Sequence, residues 1–213
     1  VQDLGLNDKT NPVSTPGLKL KDEGDEEDAQ DLSSDLSTVY RANVARGNYL
    51  SQDRSDIQYA IKELCRNKSK PNVQDWQRLK RLGRYLMNKL RSRTLFQYQV
   101  QPDNIEVSVD TDFAGCSRTR KSTSGGAIKY GEHLLKTWSS TQNVIALSSG
   151  EAEFYGLVKC AFQGLGLQAM LREYGVEAVI GIKTDASAAK GLALRRGFGE
   201  VSHIGVNQLR AQS

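Results

Sequence analysis

Apolar and polar side chains alternate from Ile105 to Asp112, with Ile105, Val107 and Val109 on one side and Glu106, Ser108, Asp110 and Asp112 on the other. A period of two sends successive side chains to opposite faces, so this stretch predicts a half-buried strand that ends in two carboxylates on one side. Turn-rich residues follow from Gly115 to Arg120, then two short segments, Ser124 to Tyr130 and His133 to Ser140, separated by Gly131-Glu132. Three such segments predict an antiparallel meander with its hairpin turn near Gly131. A long helical stretch begins at Ser148-Ser149-Gly150-Glu151, where Ser148 can cap and Glu151 occupies the third helical position. Phe154, Leu157, Val158, Ala161, Leu165 and Met170 mark its expected buried face, although Gly156, Gly164 and Gly166 lower its intrinsic propensity. A further strand, Val179 to Thr184, ends in Asp185, and a short helix from Ala186 to Leu194 is expected after it.

The region before this α/β pattern has a different character. Residues Lys21 to Asp28, KDEGDEED, hold six acids against one lysine. Such a stretch cannot bury enough apolar surface to offset its ordering entropy, so residues 1–35 are expected to form a disordered acidic leader. From Lys62 to Arg93 the balance reverses, with eleven Lys or Arg against Glu63 and Asp75. One helix is expected from Ser55 to Asn67 on the stripe Ile57, Ala60, Ile61 and Leu64. Another follows Pro71, with Val73, Trp76, Leu79, Leu82, Leu86 and Leu90 on one face. Arg78, Lys80, Arg81, Arg84 and Lys89 lie mostly opposite, which suits either a solvated surface or contact with nucleic-acid phosphates.

No apolar run approaches the roughly 18 residues that span a bilayer, and the start lacks the basic and apolar stretches of a signal peptide. A soluble intracellular chain, in cytoplasm or nucleus, is expected, and its start at Val1 suggests a piece of a longer polypeptide. Cys65, Cys116 and Cys160 form no CxxC pair, so reduced structural cysteines are expected rather than a zinc site or a disulfide framework.

Three acids then stand at three element ends. Asp110 closes the first strand, Glu153 lies in the first turns of the long helix, and Asp185 follows the last strand. Glu151 has a local role in the cap, whereas Glu153 has none. Together Asp110, Glu153 and Asp185 suit a hard divalent cation such as Mg²⁺, which takes carboxylate, water and phosphate oxygens.

The runs Val109-Asp110-Thr111-Asp112-Phe113-Ala114-Gly115-Cys116, Arg120-Lys121-Ser122-Thr123-Ser124-Gly125, Trp138-Ser139-Ser140, Ala146-Leu147-Ser148-Ser149-Gly150-Glu151-Ala152-Glu153-Phe154 and Lys183-Thr184-Asp185 resemble the ribonuclease H domain of Copia-type LTR retrotransposon polyproteins. Upstream, Asp53-Arg54-Ser55-Asp56-Ile57-Gln58-Tyr59-Ala60 and Leu79-Lys80-Arg81-Leu82-Gly83-Arg84-Tyr85-Leu86 resemble the end of the reverse transcriptase and the segment that joins it to that domain. The resemblance implies three regions: the leader 1–35, a helical reverse transcriptase tail and connection segment 36–98, and a ribonuclease H-like domain 99–213 with a mixed five-stranded sheet and flanking helices. It implies an endonuclease that cleaves RNA in RNA–DNA hybrids with two Mg²⁺ or Mn²⁺ ions held by Asp110, Glu153 and Asp185, beside the remainder of a polyprotein as partner. Val201-Ser202-His203-Ile204-Gly205-Val206 resembles the family's His-Ile-Asp segment, which makes His203 either a proton carrier or a packed side chain. Gly205 stands where that segment carries a fourth acid, and Glu200 is a nearby acid that could substitute if the loop allows it. This departure keeps a second reading open, an inactive remnant that at most binds nucleic acid. The paired aspartates of Tyr-x-Asp-Asp occur nowhere in the chain, which excludes polymerase chemistry by this chain alone.

Overall fold

The computed structural model describes residues 2–7, 9–17, 30–116, 119–185 and 209–211. The chain divides into two compact units, Val1–Arg93 and Thr94–Ser213.

The first unit is helical: α1 (Ser34–Leu50), α2 (Gln58–Arg66) and α3 (Val73–Asn88), with single 3-10 turns at Gln2–Leu4 and Ser55–Ile57. The stripes expected for α2 and α3 face a common core, where Ile57, Ala60, Ile61, Leu64, Leu79 and Leu82 meet Tyr40 and Val44 of α1. Asn72 and Asp75 form a reciprocal capping box at the start of α3. The fully buried Asp75 carboxylate also accepts from Asn67 Nδ2 at 2.9 Å and Arg78 at 3.0 Å, so its charge is paired. Leu90, expected on the apolar face of α3, is instead exposed because the helix ends at Asn88.

The expectation of a disordered leader does not hold for its described residues. Leu4 and Leu6 are buried in the helical core. A Cβ on Gly83 would come within 2.6 Å of Leu6 and 3.2 Å of Leu4, so the bare backbone of α3 leaves the groove they fill. Composition averaged over the acidic run hid these two anchors. That run itself, Lys21 to Asp28, lies outside the described residues.

An ion-pair network closes this unit near the start of α2. Asp56 accepts from Arg54 Nε at 2.9 Å, from the second Arg54 nitrogen at 2.8 Å and from the Tyr85 hydroxyl at 2.7 Å. The Arg54 hydrogen bonds, helped by Tyr85, hold the Asp56 carboxyl down at about 2 against the opposing effect of burial. A depressed carboxylate contributes stability that is fully present above the unfolded value near 4 and lost as pH falls through the folded one. The gap corresponds to roughly 2 kcal/mol, reduced to about 1 kcal/mol by solvent screening. Asp56→Asn is expected to lower stability by that amount at pH 7 and by little near pH 2, as read by urea denaturation of the helical unit.

The second unit contains β1 (Asn104–Asp112), β2 (Thr123–Tyr130), β3 (His133–Thr141), α4 (Ser149–Glu173) and β4 (Val179–Thr184). The four strands form a mixed sheet in the order β3-β2-β1-β4, antiparallel except for the parallel β1–β4 pair. A three-residue strand, β5 (Leu209–Ala211), pairs parallel with β4 at the sheet edge. The predicted meander is present, and Gly131 turns it with a φ of +58°, a conformation that favours glycine.

The alternation in β1 buries Ile105, Val107 and Val109 with Ile180 and Ile182 of β4 against Leu157, Cys160 and Ala161 of α4. The face that α4 presents differs from the one expected. Ala152, Gly156, Cys160 and Gly164 are buried with Leu157 and Ala161, Phe154 and Leu165 are half-buried, and Met170 is exposed. Small residues meet the sheet because the helix approaches closely: a Cβ on Gly164 would lie 3.1 Å from both Ile180 and Val107. Large apolar residues were the wrong marker for a helix held this near its sheet. The three cysteines are free, and no helix among the described residues is long and apolar enough to cross a membrane. The short helix expected from Ala186 to Leu194 lies outside the described residues.

Candidate functional site

Sheet topology brings three distant acids to one place. β1 is central, so the end of its last turn of strand, the start of α4 packed on it, and the end of the parallel β4 beside it all converge. Asp110, Glu153 and Asp185 each offer one carboxylate oxygen, and these oxygens all lie within 4.8 Å of one another. Asp110 and Asp185 are exposed, whereas Glu153 is only 8% exposed.

Burial, and then the charges of Asp110 and Asp185, push the Glu153 carboxyl up to about 7, and the neighbouring Thr111 hydroxyl and amide offset this only in part. Its Oε2 atom is buried and has no hydrogen-bond partner among the described residues. Three like charges this close resist joint ionisation unless a cation neutralises them. An all-oxygen set with one orphaned buried carboxylate oxygen fits a hard divalent ion better than a proton-shared structural cluster.

The neighbouring acids are occupied elsewhere. Glu151 accepts from Leu147 N at 2.7 Å and from the Tyr155 hydroxyl at 3.2 Å, while its own amide donates to Ser148 Oγ at 3.1 Å. The cap is therefore present, but its return arm reaches Leu147 rather than Ser148. The Asp112 carboxylate folds back over the turn at Gly115, where a Cβ would overlap it. His203, Glu200 and Gly205 lie outside the described residues.

The basic side chains singled out on α3 are partly engaged within their own unit. Arg78 pairs with Asp75, Arg81 donates to Thr15 Oγ1 at 2.7 Å, and Arg84 donates to the Asn11 carbonyl at 2.7 Å. Lys80 and Lys89 rest over the rings of Trp76 and Tyr85, at 5.9 Å and 5.5 Å from the centroids. No periodic pattern marks residues 11–15 as reaching across to α3.

Buried hydroxyls adjoin the Asp110 end of β1: Thr111 stands opposite Ser124 and Asp112 opposite Thr123 in the β1–β2 register, and Gln142 bonds to Ser124 and to the Ala152 carbonyl of α4. Hydroxyls at strand ends carry no periodic signal, and a glutamine in a loop carries none at all.

The chain as a whole has relatives among known proteins. The chain is 31% identical over 157 residues to an uncharacterized mitochondrial protein of Arabidopsis thaliana, AtMg00810, covering 70% of this chain and 60% of that protein. It is 28% identical over 140 residues to the retrovirus-related Pol polyprotein from transposon RE2 of Arabidopsis thaliana, covering 66% of this chain and 10% of the polyprotein. It is also 31% identical over 119 residues to secreted RxLR effector protein 161 of Plasmopara viticola, covering 56% of this chain and 83% of that protein. The similarity to retrotransposon Pol polyproteins supports a retroelement Pol-related protein. This Pol-related chain spans 60% of the first relative and a tenth of the polyprotein. No family model matches it, and no solved structure matches it at a significant level.

Proposed function

We propose that the second unit of this Pol-related chain is a ribonuclease H-type domain, a metal-dependent endoribonuclease acting on the RNA strand of RNA–DNA hybrids. The observation that carries this reading is the convergence of Asp110, Glu153 and Asp185, whose carboxylates each bring one oxygen within 4.8 Å of the others. The strand order β3-β2-β1-β4-β5, with its first three strands antiparallel, supports the five-stranded ribonuclease H-like arrangement.

Asp110, Glu153 and Asp185 would hold two Mg²⁺ or Mn²⁺ ions, whose charge would activate the attacking water and stabilise the leaving 3′ oxygen. The protein's own part is positional. The strand ends and the first turns of α4 fix the three carboxylates, and burial of Glu153 keeps the centre partly shielded from solvent. Substrate recognition through backbone, groove shape and 2′-hydroxyls needs no base-specific pocket. Along α3 and its C-cap, phosphate contact falls more on Lys80 and Lys89 than on Arg78, Arg81 and Arg84, which serve internal contacts.

Gly205, at the position where the resembling segment carries an acid, favours a second reading in which the domain binds but does not turn over. Cleavage of a labelled hybrid by the purified chain with Mg²⁺ or Mn²⁺ decides between them. Asp110→Asn should lower cleavage more than about a hundredfold, since even residues that only support metal ligands cost roughly 10–100-fold. No cleavage by the unaltered chain, with recovery in Gly205→Asp, supports the second reading. Failure of both in folded protein overturns the nuclease.

A further inference from the structure

Gln142 lies just beyond the end of β3, away from the three carboxylates in sequence, yet it ties together the elements that carry them. Its side-chain nitrogen donates to Ser124 Oγ on β2 at 2.8 Å and to the Ala152 carbonyl on α4 at 2.7 Å. The Ala152 carbonyl can only accept, so the orientation of the amide is fixed by its partners. The Ala152 carbonyl carbon is bonded to the backbone nitrogen of Glu153, so a hold on one is a hold on the other.

The far end of the bridge is equally constrained. Ser124 is 2% exposed and stands opposite Thr111 in the β1–β2 register, next to the Asp110–Gly125 pair. The Gln142 backbone amide donates to the Ser122 carbonyl at 2.8 Å, and the fully buried Ser122 hydroxyl accepts from the Ala114 amide at 3.0 Å in the turn that follows β1. One side chain thus spans from the strand beside Asp110 to the peptide that carries Glu153. Its own oxygen, Oε1, is buried without a hydrogen-bond partner among the described residues. Folding alone would favour a side chain with every buried polar atom satisfied, and exceptions concentrate where function sets the geometry.

We infer that Gln142 is a positioning residue for the carboxylate centre, holding Glu153 at its distance from Asp110 through the Ser124–Gln142–Ala152 bridge. This rests on the divalent-cation reading of that centre. Groups behind the ligands set ligand orientation, and Mg²⁺ demands near-ideal octahedral geometry where larger ions tolerate error.

Calorimetric titration of Mg²⁺ and Mn²⁺ into the full chain tests it, with Gln142→Met, which keeps the side-chain length without its donors, and Ser124→Ala, which removes one anchor only. Gln142→Met should bind Mg²⁺ about tenfold more weakly or worse, lose less for Mn²⁺, and unfold on heating close to the unaltered chain. Ser124→Ala should show the same selectivity to a smaller degree. Unchanged Mg²⁺ affinity in folded Gln142→Met overturns the positioning role while leaving the cation centre standing. Equal losses for both ions together with lower thermal stability make Gln142 a packing residue and also overturn it. If Gln142→Met does not fold, Ser124→Ala decides: a selective Mg²⁺ loss supports the role, and unchanged affinity overturns it. An unaltered chain that binds neither ion overturns the cation centre and this inference with it.

Discussion

Glu153→Gln is expected to stabilise the second unit at pH 8 in cation-free buffer and to leave it nearly unchanged at pH 4. The reason lies in the direction of the Glu153 shift, from an ordinary 4.5 up to about 7. A carboxyl whose folded value is raised binds its proton more tightly in the folded state. Stability is therefore full below the unfolded value, falls as pH rises between the two values, and stays reduced above the folded one. The gap corresponds to at most about 3 kcal/mol. Glutamine cannot ionise, so the variant should lack this descent. Mg²⁺ should restore the unaltered chain at pH 8 by neutralising the cluster and should do far less for Glu153→Gln. Urea denaturation at pH 4, 6 and 8, with and without Mg²⁺, reads all of this. Parallel pH profiles for the two chains would remove the electrostatic account of the site.

Gly156→Val should destabilise the same unit by about 3 kcal/mol or more, the upper range for overpacking a close-fitted interior. A Cβ at Gly156 would come to 2.5 Å from the Thr111 hydroxyl, 3.1 Å from Val109 and 3.4 Å from the Ser124 hydroxyl. None of these neighbours is a long flexible chain that could swing aside, so α4 must move off β1. Glu153 lies about one turn earlier on the same helix, and the movement should weaken cation binding in parallel. Gly166→Ala supplies the control. Nothing lies within 4 Å of a Cβ there, so helix propensity alone should add up to about 1 kcal/mol. Thermal unfolding that ranks the two variants in the opposite order would refute the close approach of helix to sheet.

The two effects illustrate what a sequence does and does not carry. The β1 strand was legible because one of its faces is buried and the other is not, which writes a period of two into Ile105, Val107 and Val109. The acids at element ends were legible for a related reason: Asp110, Glu153 and Asp185 interrupt or terminate patterns that had no need of them. Helix α1 was not read, since only Ser37, Tyr40 and Val44 are buried along it and no apolar stripe marks it. Its Ser33 cap, which accepts from Leu36, was the available signal. The buried face of α4 was misread because glycine and alanine make the contact there. Gln142 was beyond reach of any local rule, because both of its side-chain partners lie outside its own segment.

The parallel pairing of β1 with β4 also bears on the order in which this unit assembles. The meander β1–β2–β3 is joined by short connections and can close early, whereas β4 reaches its place beside β1 only after the whole of α4 has been traversed. Long-range pairing pays its loop-closure entropy late. Asp185 follows β4, so a chain in which β4 has not yet paired with β1 holds at most two of the three carboxylates close together. Mutual repulsion among all three acids therefore belongs to the fully paired sheet, where the β1–β4 ladder and α4 bring them together.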